Sequence, residues 1–268
     1  METALALRNV SLSFGGVAAL RDVSLAVRAG SIHSIIGPNG AGKSSLLNVL
    51  TGIYKPDAGK IILDGREYAS LPTGRLARLG LARTFQNLAL FKGLSVLQNI
   101  EIGQIHAERA STLEQVLHLP RARREAALAR QTALRLAGQL RLEPFLDSAV
   151  AALPYGVQKR VEFARALASS PRLLLLDEPM AGLSRVEKEQ MHDLILAAKT
   201  QWNTTVVLVE HDVHLVMDIS DHVTVLDHGV CIADGPPDLV QQDPAVIEAY
   251  LGVQNPPRET AKIEQAAE

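Results

Sequence analysis

Short apolar runs, separated by turns rich in glycine and proline, dominate the hydrophobic pattern of this chain. Residues 4–14 alternate loosely between apolar and polar positions, whereas residues 173–176 and 206–209 are apolar throughout. Loose alternation is typical of a strand with one solvated face, and a continuous apolar run is typical of a strand buried in a parallel sheet. The pattern predicts strands at residues 4–14, 20–27, 31–36, 60–63, 79–85, 173–176, 204–209, 222–226 and 230–233.

Helical spacing of apolar positions fills much of the remaining chain. It predicts helices at residues 45–50, 94–140, 161–167, 186–200 and 213–219. Residues 87–140 contain no strand-like pattern, so we expect a helical lobe inserted between strands. From residue 120 the helix becomes basic, with arginines at 121, 123, 124, 130 and 135. Such a helix can contact lipid headgroups or a partner, or it can present a solvated face, which is the interpretation we favour.

Residues 37–44 read Gly-Pro-Asn-Gly-Ala-Gly-Lys-Ser, which fits the phosphate-binding loop G-x-x-x-x-G-K-[ST]. An apolar strand precedes this segment and a helix follows it, as that loop requires. Glycines let the backbone approach a phosphate, and successive N–H groups at a helix N-terminus point toward the anion. We expect Lys43 to reach the β- and γ-phosphates and Ser44 to ligate Mg²⁺. The predicted nucleotide-binding residues here are Gly37, Pro38, Asn39, Gly40, Ala41, Gly42, Lys43, Ser44 and Ser45.

Two acidic residues, Asp177 and Glu178, directly follow the four leucines at 173–176. A buried parallel strand would deliver both carboxylates to the C-terminal edge of its sheet. Because adjacent buried carboxylates are costly without a cation, we expect Mg²⁺ to be held near Asp177. Glu178 is then placed to orient or deprotonate an attacking water. The alternative is an exposed acidic turn after a core strand, and the upstream phosphate loop argues against it.

Three single residues are candidates whose roles depend on the rest of the site. Phe14 ends a predicted strand before Gly-Gly, and it is either a platform for adenine stacking or an ordinary core aromatic. Gln86 follows a predicted strand and is a candidate contact for Mg²⁺ or water. His211 follows the strand at 204–209, which should lie beside the Asp177 strand, so its side chain is expected to reach the γ-phosphate.

Composition narrows the class of protein. The chain has 268 residues and a formal net charge of −2, which gives no overall indication of nucleic-acid binding. A single cysteine, Cys231, excludes a disulfide within the chain and suits a reducing compartment. The first residues lack the basic-then-apolar order of a signal peptide, and no window approaches 18 apolar residues. Any link to a membrane is therefore expected to run through partners.

The order of these segments resembles that of the ATP-binding subunits of ABC transporters over residues 4–252. The matching pieces are the Walker A loop 37–44, the Q-loop residue Gln86, the signature segment from Leu153, the Walker B strand 173–177, Glu178, the D-loop 181–184 and the switch histidine His211. The resemblance implies an α/β P-loop NTPase fold with a RecA-like core, an antiparallel β subdomain and a helical lobe at about 87–165. Residues 253–268 lie outside it and are expected to form a polar, disordered tail.

The family also implies roles for individual residues. Phe14 lies where its members carry the adenine-stacking aromatic, and Gln86 joins Ser44 and Asp177 as a candidate contact to Mg²⁺. The implied mechanism is a clamp in which ATP is held between this chain and a second subunit. Gln86 and His211 sense the γ-phosphate, Glu178 activates water, and hydrolysis reopens the dimer. The lobe near Gln86 is expected to hold a coupling helix of the membrane permease.

Several short segments resemble the ATPase subunits of importers for branched-chain, or hydrophobic, amino acids. These segments are residues 82–87, 90–91, 96–99 and 246–252. The insert at about 104–135 is similar to that of the longer of the two ATPase subunits of those importers. This implies an ATPase heterodimer, two permeases and an external solute-binding protein, with the chain peripheral on the cytoplasmic face of the inner membrane. Urea, amide or carboxylate uptake, an exporter, and a soluble ABC ATPase are the alternatives.

The signature segment departs from the family pattern. That pattern reads Leu-Ser-Gly-Gly-Gln, or Leu-Ser/Ala-Tyr-Gly-Gln in this branch, and here Pro154 and Val157 replace the small or hydroxyl residue and the glutamine. Pro154 lacks both a hydroxyl and an N–H, and Val157 has no side-chain donor. Tyr155 and Gly156 remain. The D-loop also has Ser184 where Asp or Asn is usual. We therefore expect a weakened contact from this segment to the partner's nucleotide.

Overall fold

A mostly parallel sheet in the computed structural model carries the phosphate loop at the end of a central strand. The structure describes residues 2–107, 111, 114, 116–117 and 119–251. Its strands are β1 (Thr3–Phe14), β2 (Val17–Arg28), β3 (Ile32–Ile36), β4 (Ala58–Leu63), β5 (Arg66–Tyr68), β6 (Leu81–Arg83), β7 (Leu173–Asp177), β8 (Thr205–Val209), β9 (His222–Asp227) and β10 (Val230–Gly235).

Two sheets organise these strands. The larger has the order β10-β9-β3-β8-β7-β6, and its neighbours run parallel except for the antiparallel pair β9 and β10. The smaller is antiparallel, with the order β2-β1-β4-β5. The antiparallel β subdomain implied by the resemblance is therefore confirmed, with two of its strands before the phosphate loop and two after it. Strand β8 lies between β3 and β7, so three strand ends that carry predicted site residues are neighbours.

The continuous apolar runs are explained by burial on both faces of the larger sheet. All five residues of β3, β7 and β8 are buried. In β7, Leu174 and Leu176 pack into the cluster shared with the helical lobe, whereas Leu173 and Leu175 pack against the antiparallel sheet and the helix after the phosphate loop. Because successive side chains point to opposite faces, a shift of one residue would exchange the two sets. The register of these strands is thus strongly specified.

The helices cover the faces of the sheet and build the lobe. They are α1 (Lys43–Leu50), α2 (Val96–Ile102), α3 (Pro120–Gln139), α4 (Tyr155–Ala168), α5 (Arg185–Thr200), α6 (Val213–Ile219), α7 (Pro237–Val240) and α8 (Pro244–Leu251). Helices α2, α3 and α4 lie between β6 and β7 along the chain and share a core that includes Ile100, Leu136 and Val161. Of the described helices, none combines the length and apolar character needed to span a membrane.

Two predicted elements differ from the structure. The strand expected at 79–85 is limited to Leu81–Arg83, because Gly80 adopts a left-handed conformation with φ of 74° and closes a preceding turn. The helix expected over 94–140 is not continuous in the described residues, because α2 ends at Gly103 and α3 begins only at Pro120. The predicted strands at 222–226 and 230–233 are present as β9 and β10, and the turn between them has His228 and Gly229 at positive φ. The predicted tail at 253–268 lies outside the described residues.

Candidate nucleotide site

The phosphate loop connects β3 to α1 through a backbone path that needs glycine at specific points. Gly37 has φ of 151°, and a Cβ added there would lie 2.0 Å from the carbonyl oxygen of Leu226 on β9. Gly42 caps α1 in the left-handed region at φ of 101°. A side chain at either position would therefore strain the backbone or clash. The result is a close turn that ends on the N-terminus of α1, as an anion-binding loop requires.

Lys43 is held inside this loop. It is 8% exposed, and its Nζ donates hydrogen bonds to the carbonyl oxygens of Gly37 at 2.6 Å and Pro38 at 2.9 Å. Burial lowers the pKa of Lys43, while the carboxylates of Glu178 and Asp177 act in the opposite direction. The ammonium thus lies in the field of the two predicted acidic residues, within the loop that would surround a phosphate.

Asp177 ends β7 in a buried ion pair that sequence reasoning missed. Its Oδ2 accepts a hydrogen bond from Arg83 Nη2 at 2.9 Å, and the two side chains are 8% and 7% exposed. Arg83 Nη1 also donates to Asn48 Oδ1 at 2.8 Å and to Thr51 Oγ1 at 3.1 Å. One guanidinium therefore joins β6, β7 and the phosphate-loop helix α1. The available signal was a basic residue at the end of an apolar strand.

Glu178 has an unusual backbone for a non-glycine residue. Its φ is 46°, in the left-handed region, and its N–H donates to the carbonyl oxygen of Val209 on β8 at 2.9 Å. Its Oε2 accepts a hydrogen bond from Gln86 Nε2 at 3.0 Å. Strained conformations of this kind cluster at functional sites. The structure therefore brings two predicted site residues, Gln86 and Glu178, into direct contact.

His211 follows β8, and its side chain is 59% exposed. It lines a cavity of about 770 Å³ together with Gly37, Pro38 and Asn39 of the phosphate loop. Tyr250 of α8 forms part of the same wall. The parallel sheet thus places His211 and the phosphate loop around one opening, as expected from adjacent strand ends.

Phe14 lies at the turn between β1 and β2. Its ring is 45% exposed and packs edge-on against Tyr54, with ring centroids 5.0 Å apart. Strand β2 runs beside the phosphate loop, because a Cβ added to Gly42 would lie 2.7 Å from the carbonyl oxygen of Ala19. The exposed part of the ring leaves a face on which a base could stack. The role of Phe14 in adenine binding stays a prediction.

The signature segment, residues 153–157, forms the start of α4. Pro154 is the N-cap and makes no side-chain capping bond, and Val157 is 7% exposed, within the hydrophobic core of the lobe. A Cβ added to Gly156 would lie 2.0 Å from Glu187 Oε1, and one added to Gly182 would lie 3.1 Å from the Tyr155 ring. The segment therefore packs on its own D-loop and α5, and the Val157 side chain is buried among apolar residues.

Ser184 stands where the D-loop usually has an acid or an amide, and it still caps the helix that follows. It is the N-cap of α5, and its Oγ accepts a hydrogen bond from the Glu187 N–H at 3.4 Å. In return, the Glu187 carboxylate accepts a hydrogen bond from the Ser184 N–H at 2.9 Å, which completes a capping box. A serine hydroxyl performs this capping as well as an aspartate would.

Side chains of helix α4 also form hydrogen bonds with the backbone of residues 86–89, and sequence reasoning did not identify these contacts. Lys159 Nζ donates to the Gln86 carbonyl oxygen at 3.1 Å, and Arg165 Nη1 donates to the Ala89 carbonyl oxygen at 2.6 Å. Glu162 Oε1 accepts from the Ala89 N–H at 3.1 Å. Burial raises the pKa of Glu162, and these bonds and the neighbouring cations oppose that shift. The signature helix and the Q-loop are thus joined by polar contacts, two of them from the buried residues Lys159 and Glu162.

Comparison with known proteins defines the class. Residues 20–181 match the family model described as ABC transporter, and residues 230–254 match that of the branched-chain amino acid ATP-binding cassette transporter. The chain therefore belongs to the ATP-binding cassette family of ABC transporters, and it is an ATPase. This confirms the family and the P-loop fold expected from the sequence.

Individual relatives are similar over almost their whole length. The chain is 40% identical to the high-affinity branched-chain amino acid transport ATP-binding protein BraF of Pseudomonas aeruginosa, over 92% of this chain and 97% of the relative. It is 38% identical to LivG of Escherichia coli, with the same coverage. Among solved structures, a nucleotide-free ATP-binding cassette from an ABC transporter aligns with a TM-score of 0.80 and 31% identity, over 92% of this chain and 98% of that one.

Proposed function

We propose that this chain is the ATP-hydrolysing subunit of a membrane importer for branched-chain or other hydrophobic amino acids. The observation that carries the proposal is the full-length similarity to cassettes named for that transport, together with the separate match of residues 230–254. The geometry supports the chemistry, because Lys43, Asp177, Glu178 and His211 all lie at the same end of the parallel sheet. Systems for related solutes share the same fold, so the solute is what the experiment must decide.

The contacts at this edge support a role for each residue. The loop 37–44 and Ser45 bind the phosphates through backbone N–H groups and Lys43, while Phe14 stacks on the base. Glu178 holds the attacking water and takes its proton. Gln86 is bonded to Glu178 and can therefore change its position when the Q-loop moves. His211 faces the same opening as the phosphate loop, which supports a contact from its side chain to the γ-phosphate.

The donor set at this edge fits Mg²⁺. Ser44, Gln86 and Asp177 offer hydroxyl, amide and carboxylate oxygens, the ligand types that this ion prefers. Asp177 as a whole residue is 6% exposed, and its buried carboxylate is stabilised by a nearby cation. The guanidinium of Arg83 supplies part of that positive charge. When bound, Mg²⁺ neutralises charge on the β- and γ-phosphates. Ser44 and Asp177 would hold the ion, and Gln86 would complete its surroundings.

The cassette acts within a larger assembly. A cassette bound to ADP and phosphate has been solved as a dimer, and it aligns with this chain at 27% identity and a TM-score of 0.73. We place this chain in a heterodimer with a second ATPase subunit, on the cytoplasmic face of the inner membrane. Two permease chains and an extracytoplasmic solute-binding protein complete the importer. The permease docks near Gln86, where helix α4 transmits its movement to the signature segment.

Reconstitution with a solute panel tests the function. The chain is co-expressed with candidate permease and ATPase subunits, and the complex is reconstituted with a candidate solute-binding protein in lipid vesicles. ATP hydrolysis is then measured with leucine, isoleucine, valine, other amino acids, urea, short amides and carboxylates. We expect stimulation by the branched-chain amino acids. Stimulation by urea, amides or carboxylates alone would assign the chain to a related importer, and failure to copurify with permeases would contradict transport altogether.

A further inference from the structure

Glu210 is a buried acid beside the switch histidine, and no role described above uses it. It is 1% exposed. Its Oε1 accepts a hydrogen bond from the Met180 N–H at 3.0 Å, and its Oε2 accepts one from the His211 N–H at 3.3 Å. The same Oε2 lies 3.7 Å from His211 Nδ1. The carboxyl group therefore bridges two loops that follow neighbouring strands.

Those loops carry the two residues that the proposed mechanism requires. Met180 is two residues after Glu178, in the turn that leaves β7, and His211 leaves β8. The turn is also tied to β8 by the Glu178 N–H, which donates to the Val209 carbonyl oxygen at 2.9 Å. Glu210 adds a side-chain link between the same two segments. A shift of His211 would therefore move the turn that determines the backbone conformation of Glu178.

The environment of Glu210 explains why such a link is unusual. Burial raises the pKa of its carboxyl group, and the negative charge of Glu178 acts in the same direction, while the two N–H bonds and His211 oppose it. A buried carboxyl is costly unless its oxygens are hydrogen-bonded. An apolar residue at the end of β8 would avoid that burden. The acid is explained if its bonds are needed to hold the two loops in register.

We propose that Glu210 is a positioning residue that fixes His211 relative to the Glu178 turn during ATP hydrolysis. It does not touch nucleotide, and it acts through His211. The inference rests on the proposed roles of Glu178 and His211. It goes beyond them because it assigns the coupling of these residues to one side chain.

A double-mutant cycle tests the inference in the reconstituted complex. Single-turnover hydrolysis and KM for ATP are measured for wild type, Glu210→Gln, His211→Ala and the double variant. Glutamine keeps the size of the side chain but offers one acceptor oxygen in place of two. We expect Glu210→Gln to slow hydrolysis on the order of tenfold with little change in KM. The double variant should match His211→Ala within about twofold, since coupled residues are not additive.

The outcomes separate this inference from the proposed site. If the two rate losses multiply in the double variant, or if Glu210→Gln hydrolyses ATP at the wild-type rate, the inference is overturned. If His211→Ala and Glu178→Gln both retain the wild-type rate, the proposed site itself fails. Should Glu210→Gln not fold, Glu210→Asp replaces it in the same cycle under the same criteria, because it keeps both oxygens on a shorter side chain.

A matched control distinguishes coupling from loss of stability. Asp221 Oδ2 accepts a hydrogen bond from the Ile32 N–H at 2.8 Å, at the start of β3 and thus at the opposite end of the sheet. It also pairs with Lys199 at 2.8 Å. Asp221→Asn should lower the melting temperature and leave the single-turnover rate within about twofold of wild type. A rate loss in Asp221→Asn equal to that in Glu210→Gln would reduce Glu210 to a structural role.

Discussion

The C-terminal edge of the parallel sheet and the signature segment 153–157 are built in different ways. At the sheet edge, Asp177 ends one strand and Lys43 and His211 follow two others, and every residue of these three strands is buried. The signature segment instead begins a helix whose cap makes no side-chain bond. It is held by packing on the D-loop and by the side chains that join α4 to the Q-loop.

The difference concerns how firmly a polar residue is positioned. A one-residue shift in β7 would move its leucines into the wrong cores, so the place of Asp177 and Glu178 is set by hydrophobic burial. In the signature segment, Pro154 is exposed, and burial at 157 holds an apolar side chain instead of a polar one. There, Pro154 and a buried Val157 stand in place of groups that could donate to a phosphate. We propose that this chain offers a complete hydrolytic half-site and a depleted signature half-site.

The largest expected effect comes from Glu178. Glu178→Gln should retain ATP binding and slow single-turnover hydrolysis about 10²- to 10⁴-fold, because the group that orients and deprotonates water is lost. Glu189→Gln is the control, since Glu189 makes a surface pair with Arg185 on a side chain that is 66% exposed. A near-wild-type rate in Glu178→Gln would show that Glu178 is not the base at the sheet edge. It would also contradict the proposed difference between the sheet edge and the signature segment.

Arg83 tests whether the sheet edge is held by its buried ion pair. Arg83→Met leaves Asp177 buried without its cation, so the free energy of unfolding should fall by about 3–5 kcal/mol. Arg172→Met is the matched control, because Arg172 pairs with Asp64 at 2.6 Å on the surface, and this loss should stay below about 1 kcal/mol. Chemical denaturation measures both variants. Similar small losses would show that Arg83 does not anchor the edge.

Phe14 belongs to neither region and should give the smallest of these effects. Stacking on the base is made equally in the ground state and the transition state, so Phe14→Ala should raise KM for ATP and leave kcat nearly unchanged. The expected loss is roughly 1–3 kcal/mol of binding. Val17→Ala, at a residue that is 72% exposed on the same turn, is the control. An unchanged KM would assign Phe14 to ordinary packing against Tyr54.

The sequence predicted what depends on local pattern and missed what depends on register. The phosphate loop, the buried strands β7 and β8 and the acids after β7 follow from motif and hydrophobicity. The Arg83–Asp177 pair joins residues on two strands separated by the whole helical lobe, so no local spacing indicates it. The same holds for the bond from Glu210 to Met180. Such side-chain links become visible only once neighbouring strands are aligned.

The departure at Pro154 and Val157 was visible in the sequence, but its physical form was not. The sequence indicated missing donors, and the structure adds that Val157 is buried in the lobe core and that Glu187 lies against Gly156. A side chain at 156 would therefore require the Glu187 carboxylate to move, and that carboxylate lies beside the start of α4. Both features agree with a signature segment that contributes less to a phosphate than the family pattern would.

The unequal half-sites are tested most directly by the ATPase activity of the complete complex. In the proposed heterodimer, Lys43 and Glu178 would work with the partner's signature segment, whereas the partner's nucleotide would face the signature segment 153–157 of this chain. Losing one preorganised donor can cost roughly 3 kcal/mol. Glu178→Gln here should therefore reduce activity more than the equivalent change in the partner, and Pro154→Ser, at an exposed position, should speed the slower site. Equal losses from the two glutamine variants, or a working complex made from two copies of this chain, would contradict the account.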